Sequence, residues 1–186
     1  YILVIKNNYI LIIFFLLTTF SSAENSQTQQ LNLLFKKLSK LNNINNAELI
    51  EQKIWSIWHQ HPKNINLTDR LKLGTELMNE GSHNYALKIF NNVIKTDPYW
   101  SEGWNKRATL FFLMKEYDRS LYDIEKVLRL ESRHFGALTG RAQIFIELKQ
   151  YQKAINDLKK AKKINPSIKS DIIILKLEEL IEGINI

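Results

Sequence analysis

Proton transfer and metal ligation would fall first to histidine, of which the chain has four: His59, His61, His83 and His134. His59 and His61 are two residues apart, a spacing that does not share a helical face, and the other two stand alone. Solvated positions are the expectation for all four, and no metal site is expected. Asp118, Asp123, Glu125 and Asp157 fall on predicted helix surfaces, where a carboxylate is ordinarily solvated. The absence of cysteine excludes thiolate zinc sites, disulfides and cysteine nucleophiles. No glycine-rich phosphate loop, zinc-protease His-Glu pair, nucleophile elbow or EF-hand loop occurs in the sequence. The chain therefore reads as a non-enzyme that needs no cofactor.

A net charge of +7 suits an acidic partner, an anionic membrane or nucleic acid. The densest basic run, Lys159-Lys160-Ala161-Lys162-Lys163, offers phosphate or lipid contacts. A nucleic-acid reader would interleave accessible aromatics with such a run, and none are there, so no nucleic-acid partner is expected. Among the tryptophans, Trp55, Trp58 and Trp104 sit in apolar patterns, whereas Trp100, beside Tyr99 and after Pro98, is expected to be partly exposed.

Other segments must position whatever surface does the work. Tyr9 to Phe20 is an uncharged apolar run, preceded by Lys6 and followed by Ser21-Ser22-Ala23. That is the layout of a secretory signal with small residues before a cut after Ala23. A dozen apolar residues are short of the ~20 that span a bilayer, although Ile2 to Ile5 leave an uncleaved anchor, and so membrane contact through this segment, as the alternative. Export to the periplasm or cell envelope is the resulting expectation. Residues 24–30 are polar and read as a flexible linker. With 45% hydrophobic and 24% charged residues, the remainder is expected to pack a core.

That remainder repeats itself. Gly74, Ala108 and Ala142 stand 34 residues apart, as do Ala86, Ser120 and Ala154. Phe90, Ile124 and Leu158 keep the interval, and so do Val93, Val127 and Ala161, and Leu77, Phe111 and Phe145. Small side chains recurring in two columns let paired helices approach closely, while the larger columns fill the space between pairs. A glycine inside a helix costs about 1 kcal/mol against alanine, so Gly74 implies a packing reason. Helices shorter than ~12–15 residues are marginal alone, so stacking must supply the stability.

These columns resemble the tetratricopeptide repeat (TPR) family, with Trp104 and Leu138 at the fourth position, Gly74, Ala108 and Ala142 at the eighth, and Pro98 and Pro166 closing two copies. Arg70 at the fourth position, Ser132 in place of a closing proline and His83 in place of Tyr117 and Tyr151 are departures. The resemblance implies repeats over 67–100, 101–134 and 135–166, in an all-α, right-handed α-solenoid. Residues 31–64 carry two apolar stripes, Leu31/Leu34/Phe35/Leu38/Leu41 and Leu49/Ile50/Ile54/Ile57/Trp58, and read as a helical hairpin or degenerate repeat covering the open end of the stack. Residues 167–186 read as a capping helix with Ser167 as its N-cap. The segments 101–109 and 133–138 also resemble small exported bacterial TPR proteins.

In such arrays the first helices line a concave groove that holds another polypeptide. The motif positions facing it are Leu71, Thr75 and Met78, then Glu102, Asn105, Thr109 and Phe112, then Gly136, Thr139, Gln143 and Ile146. Asn105 has no basic companions, and Gly136 and Gly140 stand where a carboxylate clamp would place cations, so a clamp is not expected. Packing between repeats is the competing role for Phe112 and Met78. The implied function is a protein or peptide scaffold of the envelope. The rival is a basic membrane-peripheral or anchored protein with its Lys-rich convex face on anionic lipid.

Overall fold

A computed structural model describes residues 26–40 and 44–184 of the chain. The leader expected over 1–23 and Leu41 lie outside the described residues. Helix α1 covers 26–38. It is followed by α2 (Ile44–His59), α3 (Ile65–Asn79), α4 (His83–Thr96), α5 (Ser101–Leu113), α6 (Tyr117–Leu130), α7 (Phe135–Glu147), α8 (Tyr151–Ile164) and α9 (Asp171–Ile184). The described residues include no strand, and none of their helices is long and apolar enough to cross a membrane.

The architecture is an all-α repeat solenoid. α3 packs on α4, α5 on α6 and α7 on α8, and each pair meets the next through α4–α5, α6–α7 and α8–α9. The small-residue columns explain the pairing. Ala86, Ala108, Ser120, Ala142 and Ala154 are all buried, and a Cβ on Gly74 would come within 2.6 Å of Phe90. Only a hydrogen fits there.

Turns repeat with the same register. Gly81, Lys115 and Lys149 adopt φ of +80°, +60° and +57°, the left-handed conformation that ends a helix. The next residue's N–H closes each turn, Ser82 onto Leu77 O, Glu116 onto Phe111 O and Gln150 onto Phe145 O. At the opposite edge, where one repeat passes to the next, Asp97, Glu131 and Asn165 each accept the backbone N–H two residues on with their side chains. One edge of the solenoid is thus built of tight helical turns and the other of capped junctions.

The first two helices depart from expectation in place. Rather than closing the end of repeat 1, they lie along the junction edge, sharing a core with Phe135, Leu138 and Ala161 of repeat 3. Three aromatic or apolar residues, Trp100, His134 and Ile168, stand 34 apart at the junctions and draw the hairpin there. Trp100 Nε1 donates to the Trp58 carbonyl at 3.1 Å, the His134 ring stacks on Trp58 at 4.1 Å, and Ile168 packs on the hairpin core. Further along, Glu51 accepts from Asn165 and Ser167 at 2.9 and 2.7 Å. The hairpin therefore braces all three junctions.

Three smaller expectations change with it. Residues 26–30 belong to α1, tied down by Gln27 Nε2, which donates to Ile57 O and Gln60 O. Trp100 is buried, because the hairpin covers it. The last helix begins at Asp171, since Ser167 is engaged by Glu51 and Asn165 and so does not open it.

Candidate functional site

Two hollows open beside the first helices of the repeats. One, about 340 Å³, is lined by Asn105, Thr109 and Phe112 of α5 and by Gly136, Thr139, Gly140 and Gln143 of α7, over Ala108, Ala137, Ser120 and Ile124. The other, about 360 Å³, lies between α3 and α2 and takes Leu71 and Thr75 together with Ser56, His59, Gln60, Lys72 and Lys106. Of the residues assigned to the groove from sequence, Asn105, Thr109, Phe112, Gly136, Thr139 and Gln143 share the first hollow, and Leu71 and Thr75 line the second. Met78 and Ile146 line neither. Met78 is buried with Leu110 in the repeat 1 core, and Ile146 packs beside Ala154 and Leu177.

The first hollow carries no formal charge. Thr109 Oγ1 donates to Asn105 O and Thr139 Oγ1 to Gly136 O, both at 3.0 Å, so each hydroxyl turns its acceptor lone pairs outward. Asn105 Nδ2 is bound to Glu102 Oε1 at 3.0 Å, which leaves its amide oxygen as acceptor. Gln143 is exposed and offers both functions. A Cβ on Gly140 would meet nothing within 4 Å, so backbone can approach closely there. Backbone N–H groups of an extended segment would find acceptors, with Phe112 as an apolar contact.

Glu102 was expected to face the groove but is fully buried. Its oxygens meet His134 Nε2 at 3.2 Å, His59 Nε2 at 3.1 Å and Lys106 Nζ at 3.5 Å, besides Asn105. His134 Nδ1 accepts from Ala137 N, capping α7, so Nε2 carries the proton toward Glu102. Burial pushes this carboxyl up, but the hydrogen bond from His134, the close His59 imidazole and the Lys106 ammonium outweigh it and hold it well below the usual carboxylate range. Glu102 is thus a locked anion tying α2 to α5 and α7, without an open path to a substrate.

His134 and the carboxylates Asp123 and Asp157 also depart from the solvated reading. Arg107 grips Asp123 with two hydrogen bonds of 2.7 and 2.8 Å, and Arg141 grips Asp157 with two of 2.7 Å. Each joins the two helices of its repeat. The Asp157 hydrogen bonds raise the Arg141 guanidinium above its ordinary value against the opposing effect of burial. Asp157→Asn, which keeps the shape and removes the charge, is expected to cost about 1–3 kcal/mol in urea denaturation; an unchanged midpoint would mean the fork contributes nothing. Among the described residues no cluster of three or more His, Cys, Asp or Glu is placed to hold a metal.

Comparison with known proteins places the fold. The tetratricopeptide repeat family model matches residues 135–168. A TPR repeat-containing protein of Rhizobium etli is 36% identical over 120 residues, which is 64% of this chain and 58% of that one, so the match spans little more than half of the relative. Among solved structures, the first TPR domain of human RPAP3 superposes with a TM-score of 0.59 at 16% identity, over 63% of this chain and 93% of that one. The secretion chaperone SycD of Yersinia enterocolitica, solved with a peptide of the translocator YopD, gives 0.55 at 14% identity, over 68% and 97%. A tetratricopeptide repeat protein of Parabacteroides merdae gives 0.57 at 21%, over 83% and 61%. The chain stacks antiparallel helix pairs on a 34-residue register, its third pair is matched by the tetratricopeptide repeat model, and its fold is that of the tetratricopeptide repeat structures.

Proposed function

We propose that this chain is a non-catalytic scaffold of the cell envelope that holds an extended segment of another polypeptide across α5 and α7. The observation that carries this reading is the uncharged hollow in which Thr109, Thr139 and the Asn105 amide oxygen turn acceptors outward beside Phe112. Such a surface pairs with peptide backbone and takes one apolar side chain, while the absence of cations in it disfavours an anionic ligand. SycD, which shares the fold, holds a peptide in its solved complex.

Affinity capture from envelope extract tests the groove. The double variant Asn105→Ala/Phe112→Ala is expected to lose at least about tenfold of the specifically retained protein, the equivalent of ~1.4 kcal/mol. Identical retrieval by both proteins would remove the groove from the proposal. Export rests on the Lys6, Tyr9–Phe20 and Ser21-Ser22-Ala23 pattern. Residues 1–30 fused ahead of a reporter are expected to carry it out of the cytoplasm, and a reporter retained inside would sink the envelope assignment.

Observation does not favour lipid binding through the Lys-rich run. Lys159 is paired with Glu178 at 2.8 Å and Lys162 with Asp171, so α9 carboxylates engage half of its four cations.

A further inference from the structure

Helix α9 is apolar on both sides. It buries Ile174 and Leu177 against the third repeat, yet leaves Ile172 at 71%, Leu175 at 57%, Leu180 at 48% and Ile173 at 44% exposed. The 34-residue register says what this outer face is. Leu138, Arg141, Ala142 and Phe145 of α7 correspond to Ile172, Leu175, Lys176 and Glu179 of α9. In repeat 3, Arg141, Ala142 and Phe145 face the antiparallel second helix, α8, through the Asp157 fork and the shared core. The outer face of α9 thus has the register of a surface that an antiparallel helix covers, and no described helix covers it.

We propose that a second copy of this chain does so, with the two α9 helices packed antiparallel about a two-fold axis. The sequence of the face is self-complementary. An axis passing between Leu177 and Glu178 sets Lys176 level with the second copy's Glu179, and by symmetry repeats that pair. It also sets Ile172 level with the second copy's Gly183, where a Cβ would meet nothing within 4 Å and an incoming side chain has room. Ile173 and Leu180 share one flank and meet their counterparts across the axis. Lys176 occupies the column held by Gly74, Ala108 and Ala142, so the close approach made inside each repeat is barred here. The two helices stand farther apart, bridged by the two Lys–Glu pairs.

This surface is separate from the groove, and its test does not depend on what the groove binds. Sedimentation equilibrium of the full chain over a wide concentration range is expected to show a monomer–dimer equilibrium. Lys176→Glu alone and Glu179→Lys alone each place like charges opposite one another, and each is expected to weaken dimerisation at least about tenfold. The double variant Lys176→Glu/Glu179→Lys restores the pairing and the wild-type association. These positions are exposed, and circular dichroism establishes that each variant keeps its helices. A strictly monomeric chain overturns the proposal and assigns the face to lipid or a different protein. So does a dimer that ignores the single reversals, or one that the double reversal fails to rescue.

Discussion

Trp58→Ala is expected to lower the unfolding free energy by about 3–5 kcal/mol, the range for truncating a large buried aromatic side chain. Trp58 is 4% exposed and sits where the hairpin meets the repeats. Its ring stacks on His134 at 4.1 Å, packs on Phe135 at 5.1 Å and touches Phe35 at 5.9 Å, so one side chain joins α1, α2 and the start of α7. Its carbonyl also receives Trp100 Nε1 from the preceding junction. At ~2–4 °C per kcal/mol for a chain of this size, the melting temperature should fall by roughly 10 °C. Far-UV circular dichroism in a thermal and a urea series checks it. Trp55→Ala serves as a contrast: this ring lies over Gly136 and is half-buried, so its loss is expected to cost less. A Trp58→Ala loss below about 1 kcal/mol would mean the hairpin is not a brace.

What could and could not be read in the sequence follows from the range of the interactions. Gly74, Ala108 and Ala142 announce helix pairing because the chain repeats its own packing problem every 34 residues. The hairpin's position has no comparable local signature. Its contacts, such as Phe35 on Phe135 and Asn32 on Arg133, join residues about a hundred apart, and an apolar stripe shows only that a helix must be covered. A trace was present in the junction column of Trp100, His134 and Ile168, three bulky ring or branched side chains at turns where small polar residues are usual. The Arg107–Asp123 and Arg141–Asp157 forks were visible too, as arginines and aspartates recurring on the register, but a carboxylate on a helix reads as solvated until the facing helix is known. Among the groove residues, Asn105, Thr109, Phe112, Thr139 and Gln143 share one hollow because helix periodicity fixes them. Glu102 obeys the same periodicity and is nonetheless buried, because α2 lies over it.

That burial makes Glu102 the other position of large effect. Glu102→Ala removes the anion from among His134, His59, Lys106 and Asn105 and leaves their donors without an acceptor, and the expected cost is about 3–5 kcal/mol, as for breaking a buried charged pair. Glu102→Gln keeps the volume and one acceptor oxygen, and separates the charge from the shape. The folded protein holds this carboxyl below the usual carboxylate range, whereas in the unfolded chain a glutamate takes up its proton near ~4.3. As pH falls below that value the unfolded chain binds the proton first, so the stability due to Glu102 is complete above the unfolded value and drains away in acid. Urea midpoints of wild type and Glu102→Gln should therefore differ most near neutral pH and narrow once the pH falls below the unfolded value, with part of the difference remaining at about pH 3. A difference that stays constant from neutral pH to that point would show that Glu102 acts through its shape alone, and the account of a locked anion fastening the hairpin to the repeats would fail.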